Sequence, residues 1–197
     1  MFTPIGFYNT PAVATSTSAY YTADVWALTD TNTTIGAYSK NDGATLVGKY
    51  LRGVGNYYVC EALCKSTAMV TALAGKTIQD FQIEYTVSTN TMATTAVVTT
   101  YQCDVNWTDT PTTEPRYNVP FGEITPWSNL IATDTLSWSS STPTGVKTIV
   151  KSAAQNTLVQ GWVNGTTTNN GLILGMGASY FASTITLSSV RFWVQYI

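Results

Sequence analysis

Histidine is absent from this 197-residue chain, and charged residues make up only 10% of it. Without an imidazole base, neither a Ser–His–Asp nor a Cys–His nucleophile system can form. Lysine and arginine together number 9 against 11 aspartates and glutamates, for a formal net charge of −2. So few cations form no basic patch to neutralise phosphates, and we therefore expect no nucleic-acid partner.

Long apolar runs are also missing, since no stretch approaches the roughly 18 consecutive apolar residues of a membrane-spanning helix. The first residues, MFTPIGFYNTPAVATS, lack the basic start and the unbroken apolar stretch of a secretory signal. We therefore predict no membrane span and no secretory signal peptide in the chain.

Cysteine is limited to Cys60, Cys64 and Cys103, an odd count that excludes a complete internal disulfide framework. Cys60 and Cys64 fall on one predicted strand, about 13 Å apart and too far to form a disulfide bond. Three cysteines without a histidine also make a poor zinc site. We expect them to be small buried hydrophobic residues.

Threonine, valine, tyrosine and tryptophan are abundant, and they suit the pleated, half-buried surface of a sheet. The clearest strand is AGKTIQDFQIEYTVST, in which apolar residues alternate at Phe81, Ile83, Tyr85 and Val87. A phase shift at Ser188–Ser189 predicts a bulge in the last strand. The pattern predicts an all-β fold, an antiparallel jelly-roll-like β-sandwich with one short helical turn and an extended N-terminal arm.

The first 22 residues read as that arm, because Pro4, Gly6 and Pro11 precede a Thr/Ser/Ala run without helical period. Residues 23–197 contain neither an internal repeat nor a dividing linker. We therefore predict an extended N-terminal arm over 1–22 and a single β-sandwich domain over 23–197.

The stretch VQGWVNGTTTNNGLILGMG combines a helical apolar spacing with two Asn–Gly pairs. Trp162 and Val163 are predicted to plug the core from a short helical piece around residues 153–163. Asn164–Gly165 then ends this piece, because glycine adopts a positive φ readily. Asn170–Gly171 is predicted to start the next strand.

The candidates for catalysis are the carboxylates around Trp107, namely Asp104, Asp109 and Glu114, two of which could form a glycosidase-like acid pair. Aspartate before Thr–Pro is, however, ordinary turn chemistry, because its carboxylate accepts from nearby backbone. We therefore expect no enzyme and assign no catalytic residue. A glycan-cleaving enzyme remains only a third hypothesis.

Metal binding also lacks a recognisable motif. Asp24, Asp30, Asn32 and Asp42 offer oxygen ligands on predicted early turns, but their spacing does not match an EF-hand loop. Polar turn residues explain them better. We assign no metal or cofactor residue and expect no cofactor, with a structural calcium ion as an alternative that the sequence does not place.

Exposed aromatic residues could serve either sugar stacking or a protein interface. The candidates are the six tryptophans Trp26, Trp107, Trp127, Trp138, Trp162 and Trp193. Trp193 alternates with the core-like Phe192 and Val194, which predicts that it faces away from the core. Trp127 and Trp138 lie near polar loops and are the other two less core-like residues.

Several segments, in order, resemble the DNRLRE domains, which overlap carbohydrate-binding module family 96. They are ADVWALTDTNTTIGAYSKNDGATLVGKY, AGKTIQDFQIEYTV, AVVTTYQCDVNWTDTP, KTIVKSAAQNTLVQGWVNGTTTNNGLILGMG and VRFWVQYI. The resemblance spans roughly 23–197 and is specific over 158–174. It implies a jelly-roll-like sandwich used as an accessory module on extracellular proteins and surface structures. Such modules bind or build rather than catalyse, and no ligand residue carries over.

These observations favour a non-enzymatic structural or adhesive subunit of an extracellular assembly. The preferred version is a capsid, decoration or fibre protein of a virus or phage, located in the virion or on an extracellular surface structure. Its expected partners are copies of itself or other structural subunits, contacted through the arm. The alternative is a carbohydrate-binding module of a secreted polysaccharide-active protein, with surface glycans as partners.

Overall fold

The computed structural model describes residues 14–31, 38–40, 45–51, 57–90, 96–103, 130–136, 144–149, 151–176 and 183–197. The strands in these residues are β1 (Thr17–Thr22), β2 (Asp24–Thr31), β3 (Tyr38–Lys40), β4 (Thr45–Leu51), β5 (Tyr57–Lys65), β6 (Ile78–Asn90), β7 (Ala96–Gln102), β8 (Leu130–Leu136), β9 (Gly145–Thr148), β10 (Leu172–Met176) and β11 (Ser183–Tyr196). The helices are α1 (Thr67–Ala72) and α2 (Ala153–Asn164).

The strands form two antiparallel layers. The front sheet has the order β3-β2-β5-β10-β7-β8. The back sheet consists of β11, β6 and β9, with β1 and β4 sharing the second edge of β11. β4 links the layers, because it also pairs with β5. The all-β antiparallel sandwich is thus confirmed, whereas the jelly-roll-like order of its connections stays a prediction.

One apolar core lies between the two sheets. The back sheet contributes the predicted alternating residues of β6, each at most 1% exposed: Phe81, Ile83, Tyr85 and Val87. The front sheet contributes alternate residues of β5 and β10: Ala62, Cys64, Leu172 and Leu174. Each large side chain buried here contributes about 1.5–3 kcal/mol of transfer free energy. The core therefore holds the layers together.

Strand β1 lies within the predicted arm, yet it pairs with β11 of the same chain from Thr17↔Tyr196 to Thr22↔Arg191. Just before it, Ser16 Oγ donates to Gln79 Oε1 over 2.7 Å. The last residues of the predicted arm therefore extend the back sheet of their own sandwich. Residues 1–13 lie outside the described residues, so contact of that segment with a neighbouring subunit stays a prediction.

Helix α2 begins with a capping box, in which Ser152 and Gln155 each accept from the other's backbone N–H. Trp162 and Val163 on its apolar face are buried in the core, at 2% and 6% exposure, which confirms the prediction made for them. The helix ends at Gly165 with φ 69°, as predicted. It covers the predicted residues 153–163 and adds Asn164, but at 12 residues it makes about three turns rather than one short turn.

Helix α1 was not predicted. Its segment TAMVTA contains threonine and valine, which are weak helix formers. Ser66 caps it by accepting from Met69 N, and Met69 and Leu73 are fully buried in the core. Tertiary packing of these two side chains therefore decides the helix.

Two local predictions in the last third of the chain are confirmed. At the bulge, Leu187 pairs with Val87 and Ser189 with Thr86, so Ser188 is the extra residue. Gly171 has φ 80° directly before β10, and a Cβ there would lie 2.4 Å from the Cys64 carbonyl oxygen. Only glycine fits this close approach.

All three cysteines are free and buried, as predicted. Cys64 faces the core from β5, and burial raises the pKa of its thiol far above the ordinary value. A thiol held in this protonated form is a poor nucleophile.

Candidate functional site

The carboxylate candidates are not brought together in the described part of the chain. Asp104, Asp109 and Glu114 lie outside the described residues, as do Asn32 and Asp42. Nowhere in the described ranges do three or more acidic or cysteine side chains group as a metal site would require.

Asp24 and Asp30 were predicted on turns, and this was wrong. Both lie in β2, where Asp24 is opposite Lys65 of β5 and Asp30 is opposite Val59. The ladder with β5 takes the backbone that a turn would need, so both residues belong to a strand.

Of the tryptophans whose side chains the structure describes, Trp162 lies in the core and Trp193 at the surface. Trp162 is a core residue at 2% exposure, and Trp26 lies in β2 opposite Leu63. Trp193 is partly exposed and faces away from the core, while Phe192 and Val194 are fully buried, so the alternation argument is confirmed. Trp107, Trp127 and Trp138 lie outside the described residues.

Trp193 belongs to a surface that we call the back face, on the outer side of the back sheet. We define it as Tyr20, Gln82, Glu84, Arg191 and Trp193, of which Tyr20 and Arg191 are exposed, Gln82 and Trp193 are partly exposed and Glu84 is buried. Pairing places Tyr20, Trp193 and Gln82 in one row across β1, β11 and β6. Arg191 and Glu84 lie in the next row. Tyr20 is 55% exposed. Because strand side chains alternate, these residues all point to the same side of the sheet.

The charges on this surface are paired with one another. Arg191 Nε donates to Glu84 Oε1 over 2.8 Å, and its Nη2 contacts the same oxygen. At the border of the back face, Lys151 Nζ lies 2.5 Å from Asp80 Oδ2. The surface therefore presents little unpaired charge to a partner.

The same two cations also cover the aromatic rings. Lys151 Nζ lies 4.2 Å from the centroid of the Trp193 ring, and Arg191 Cζ lies 4.7 Å from that of Tyr20. Cation–π contact of this kind holds the rings in place. It also occupies one face of each ring, so neither ring offers that face for stacking on a sugar.

The opposite outer face, that of the front sheet, is closed. Leu63 and Ile173 are fully buried there, and Tyr101, in the same row, is 9% exposed. Burial raises the pKa of Tyr101, a hydrogen bond with Thr99 opposes this, and the nearby Glu61 carboxylate adds to the rise. This face is therefore buried rather than open, and it holds the Glu61 carboxylate, 0% exposed, beside its apolar residues.

Sequence reasoning found Trp193 but missed Tyr20, Lys151 and the Arg191–Glu84 pair. Arg191 and Trp193 are two positions apart on β11 and therefore point to the same side of the sheet, which the alternation in the sequence already indicates. Tyr20 and Glu84 join them only through the pairing of β1 and β6 with β11. Such cross-strand neighbours are far apart along the chain.

A scan against protein-family models finds no match for this chain, and searches of curated proteins and of solved structures find no significant one. Within the described ranges, neither helix has the length and apolarity needed to cross a membrane.

Proposed function

We propose that this protein is a non-enzymatic structural subunit of an extracellular assembly, with a virion protein as the preferred version, and that the back face is its subunit contact. The observation that carries the proposal is the composition and order of that face. Tyrosine, tryptophan and arginine are the residues enriched at the energetic centres of protein interfaces. Here they are held in place by internal ion pairs and cation–π contacts before any partner binds.

Prior ordering favours association, because immobilising a side chain on binding costs roughly 0.5–1.5 kcal/mol. The paired charges also lower the cost of burial, since no lone charge has to be desolvated. A partner that buries Tyr20 and Trp193 would therefore gain apolar contact at a small entropic cost. The low charged fraction of the whole chain, 10%, suits an assembled subunit in the same way.

The test is the size of the purified chain by light scattering over a concentration series. We expect a symmetric oligomer. In the double variant Tyr20→Ala/Trp193→Ala, the dissociation constant of this oligomer should rise at least tenfold, because loss of a hot spot costs about 2 kcal/mol of association free energy. Thr71→Glu on the exposed side of α1 is the control and should assemble normally. A monomer at every concentration would refute the proposal.

The alternative, a carbohydrate-binding module, draws on the same two exposed rings. Its discriminating variant is Lys151→Ala, which uncovers one face of Trp193. If the back face binds sugars by stacking, glycan-array binding should strengthen in Lys151→Ala and disappear in Trp193→Ala. Array binding by a stable monomer with this pattern would favour the alternative over the assembly.

A further inference from the structure

A polar groove of about 440 Å³ runs along α2, beside the stripe that the helix buries in the core. Asn156, Gln160 and Asn164 follow one another along the helix at four-residue intervals and form one side. Thr157 and Gly161 form the neighbouring row. The volume falls in the range of about 300–1,000 Å³ that is usual for small-molecule sites.

The first wall is built by hydrogen bonds between α2 and the segment that leads into β6. Gln160 Oε1 accepts from Ile78 N over 2.7 Å, and its Nε2 donates to the Lys76 carbonyl over 3.1 Å. Asn156 Nδ2 donates to the Gln79 carbonyl over 3.2 Å. These contacts fix the amide row against the sheet, so this wall exists before a ligand binds.

The second wall is the loop that follows α2. Thr166 N and Thr167 N both donate to the Gly161 carbonyl, over 3.0 and 3.1 Å. A Cβ on Gly161 would lie 2.6 Å from Thr167 Oγ1, so the missing side chain lets the loop approach the helix. Gly161 therefore sets the width of the groove.

The lining is neutral throughout. It combines the amides of α2 with the hydroxyls of Thr157, Thr166 and Thr167, and Ile78 adds an apolar patch. Thr157 is exposed, and among the described residues its hydroxyl has no hydrogen-bond partner. Asn164 Oδ1 accepts from Gln160 Nε2 over 2.9 Å, which leaves the Asn164 N–H donors for other contacts.

We propose that this groove is a second binding site, specific for a neutral, hydroxyl-rich ligand of the size of a sugar residue or polyol. Amides and hydroxyls offer both donors and acceptors, which is what a hydroxyl group requires. Ile78 is a core residue that is 9% exposed, and its small exposed part is what meets the C–H surface of such a ligand. An anion meets no cation in this lining, so the groove disfavours anionic ligands. The site is independent of the back face and of the assembly proposed for it.

The experiment is a titration of ¹⁵N-labelled protein, followed by amide chemical shifts. The probes are glucose, galactose, N-acetylglucosamine and myo-inositol at millimolar concentrations, with glucuronate as the charged comparison. We expect saturable shifts at residues 156–168 and 76–79 with at least one neutral probe, and a tenfold or weaker response to glucuronate. Absence of saturable shifts with all four neutral probes would overturn the proposal, as would shifts confined to the back face.

Matched threonine variants identify the binding groups. Thr157→Val removes one hydroxyl, and we expect roughly three- to tenfold weaker binding, the value of one hydrogen bond. Thr157→Arg fills the groove and should abolish binding. Thr71→Val and Thr71→Arg, on the exposed side of α1, are the controls and should bind as wild type does. Equal losses at Thr71 and Thr157 would show that the groove is not the site.

Discussion

The outer faces of the two sheets differ sharply in exposure, although both carry aromatic residues. On the front sheet, Leu63 and Ile173 are fully buried and Tyr101 is 9% exposed. On the back sheet, Tyr20 is 55% exposed and Trp193 partly so. The front sheet is therefore covered on both faces, whereas the back sheet has one covered and one open face.

The sequences of the strands account for this difference in exposure. LIL of β10 has three consecutive apolar residues, each at most 1% exposed, which is typical of a strand covered on both sides. RFWVQ of β11 alternates, with Phe192 and Val194 in the core and Arg191 and Trp193 outside. The open outer surface of the sandwich therefore belongs to the alternating strands.

The largest expected effect tests the core side of the back sheet. Phe192→Ala should lower the free energy of unfolding by about 3–5 kcal/mol, because it leaves a cavity next to Phe81, whose ring centroid is 5.4 Å away. Urea denaturation measures this change. Tyr20→Ala on the exposed face is the control and, measured below the concentration at which the chain associates, should change stability by about 0.5 kcal/mol or less. Similar losses in the two variants would remove the distinction between the faces.

The closed face of the front sheet is tested next. Ile173→Ala should cost about 2–5 kcal/mol if this outer face packs as tightly as a core. Val146→Ala on β9, where Val146 is 57% exposed, should stay within about 0.5 kcal/mol of wild type. Thermal unfolding of the pair provides the comparison. A small effect at Ile173 would mean that the front sheet is as open as the back one.

The fall in the free energy of unfolding at alkaline pH tests the same closed face. Burial raises the pKa of Tyr101, so above a pH of about 10 the unfolded chain loses its phenol proton more readily than the folded one. Stability is therefore fully present below that pH and falls as pH rises towards the folded-state pKa. Tyr101→Phe should make this fall shallower in urea denaturation across that range.

The pKa values of Cys64 and Tyr21 are also raised by burial, so part of the alkaline fall belongs to them. Their share is common to wild type and Tyr101→Phe and cancels in the difference. Parallel stability curves for the two proteins would contradict the assignment to Tyr101.

The smallest effect concerns the border of the open face. Lys151→Met removes the ion pair with Asp80 and the cation above Trp193, but the Lys151 side chain is 42% exposed. Solvent screening limits such a pair to about 1 kcal/mol or less. The tryptophan emission spectrum should change more clearly than stability, since the ring loses its cation. A loss of stability equal to that of Phe192→Ala would contradict this ranking.

Much of the fold could be predicted from local pattern. Period-two alternation identified β6 and the outward direction of Trp193, and the phase shift identified the bulge at Ser188. Asn–Gly pairs correctly marked the end of α2 and the start of β10. Each of these features depends on residues within a few positions of one another, so the sequence displays them directly.

Features that depend on distant residues were missed. Helix α1 forms from weak helix formers because Met69 and Leu73 reach the core. Asp24 and Asp30 look like turn residues, but pairing with β5 makes them part of a strand. Both cases show tertiary contacts overriding local preference.

From the sequence alone one reads the all-β class, the alternating strands, a short helical piece around residues 153–163 and the absence of an imidazole-based site. These follow from composition and from spacing within single elements. Contacts between distant segments place Tyr20 beside Trp193 and bring Lys151 and Arg191 over the two rings. In the same way, Gln160 reaches Ile78 and builds the groove. These contacts cannot be read from the sequence, because strand register and helix packing bring together residues that are far apart along the chain.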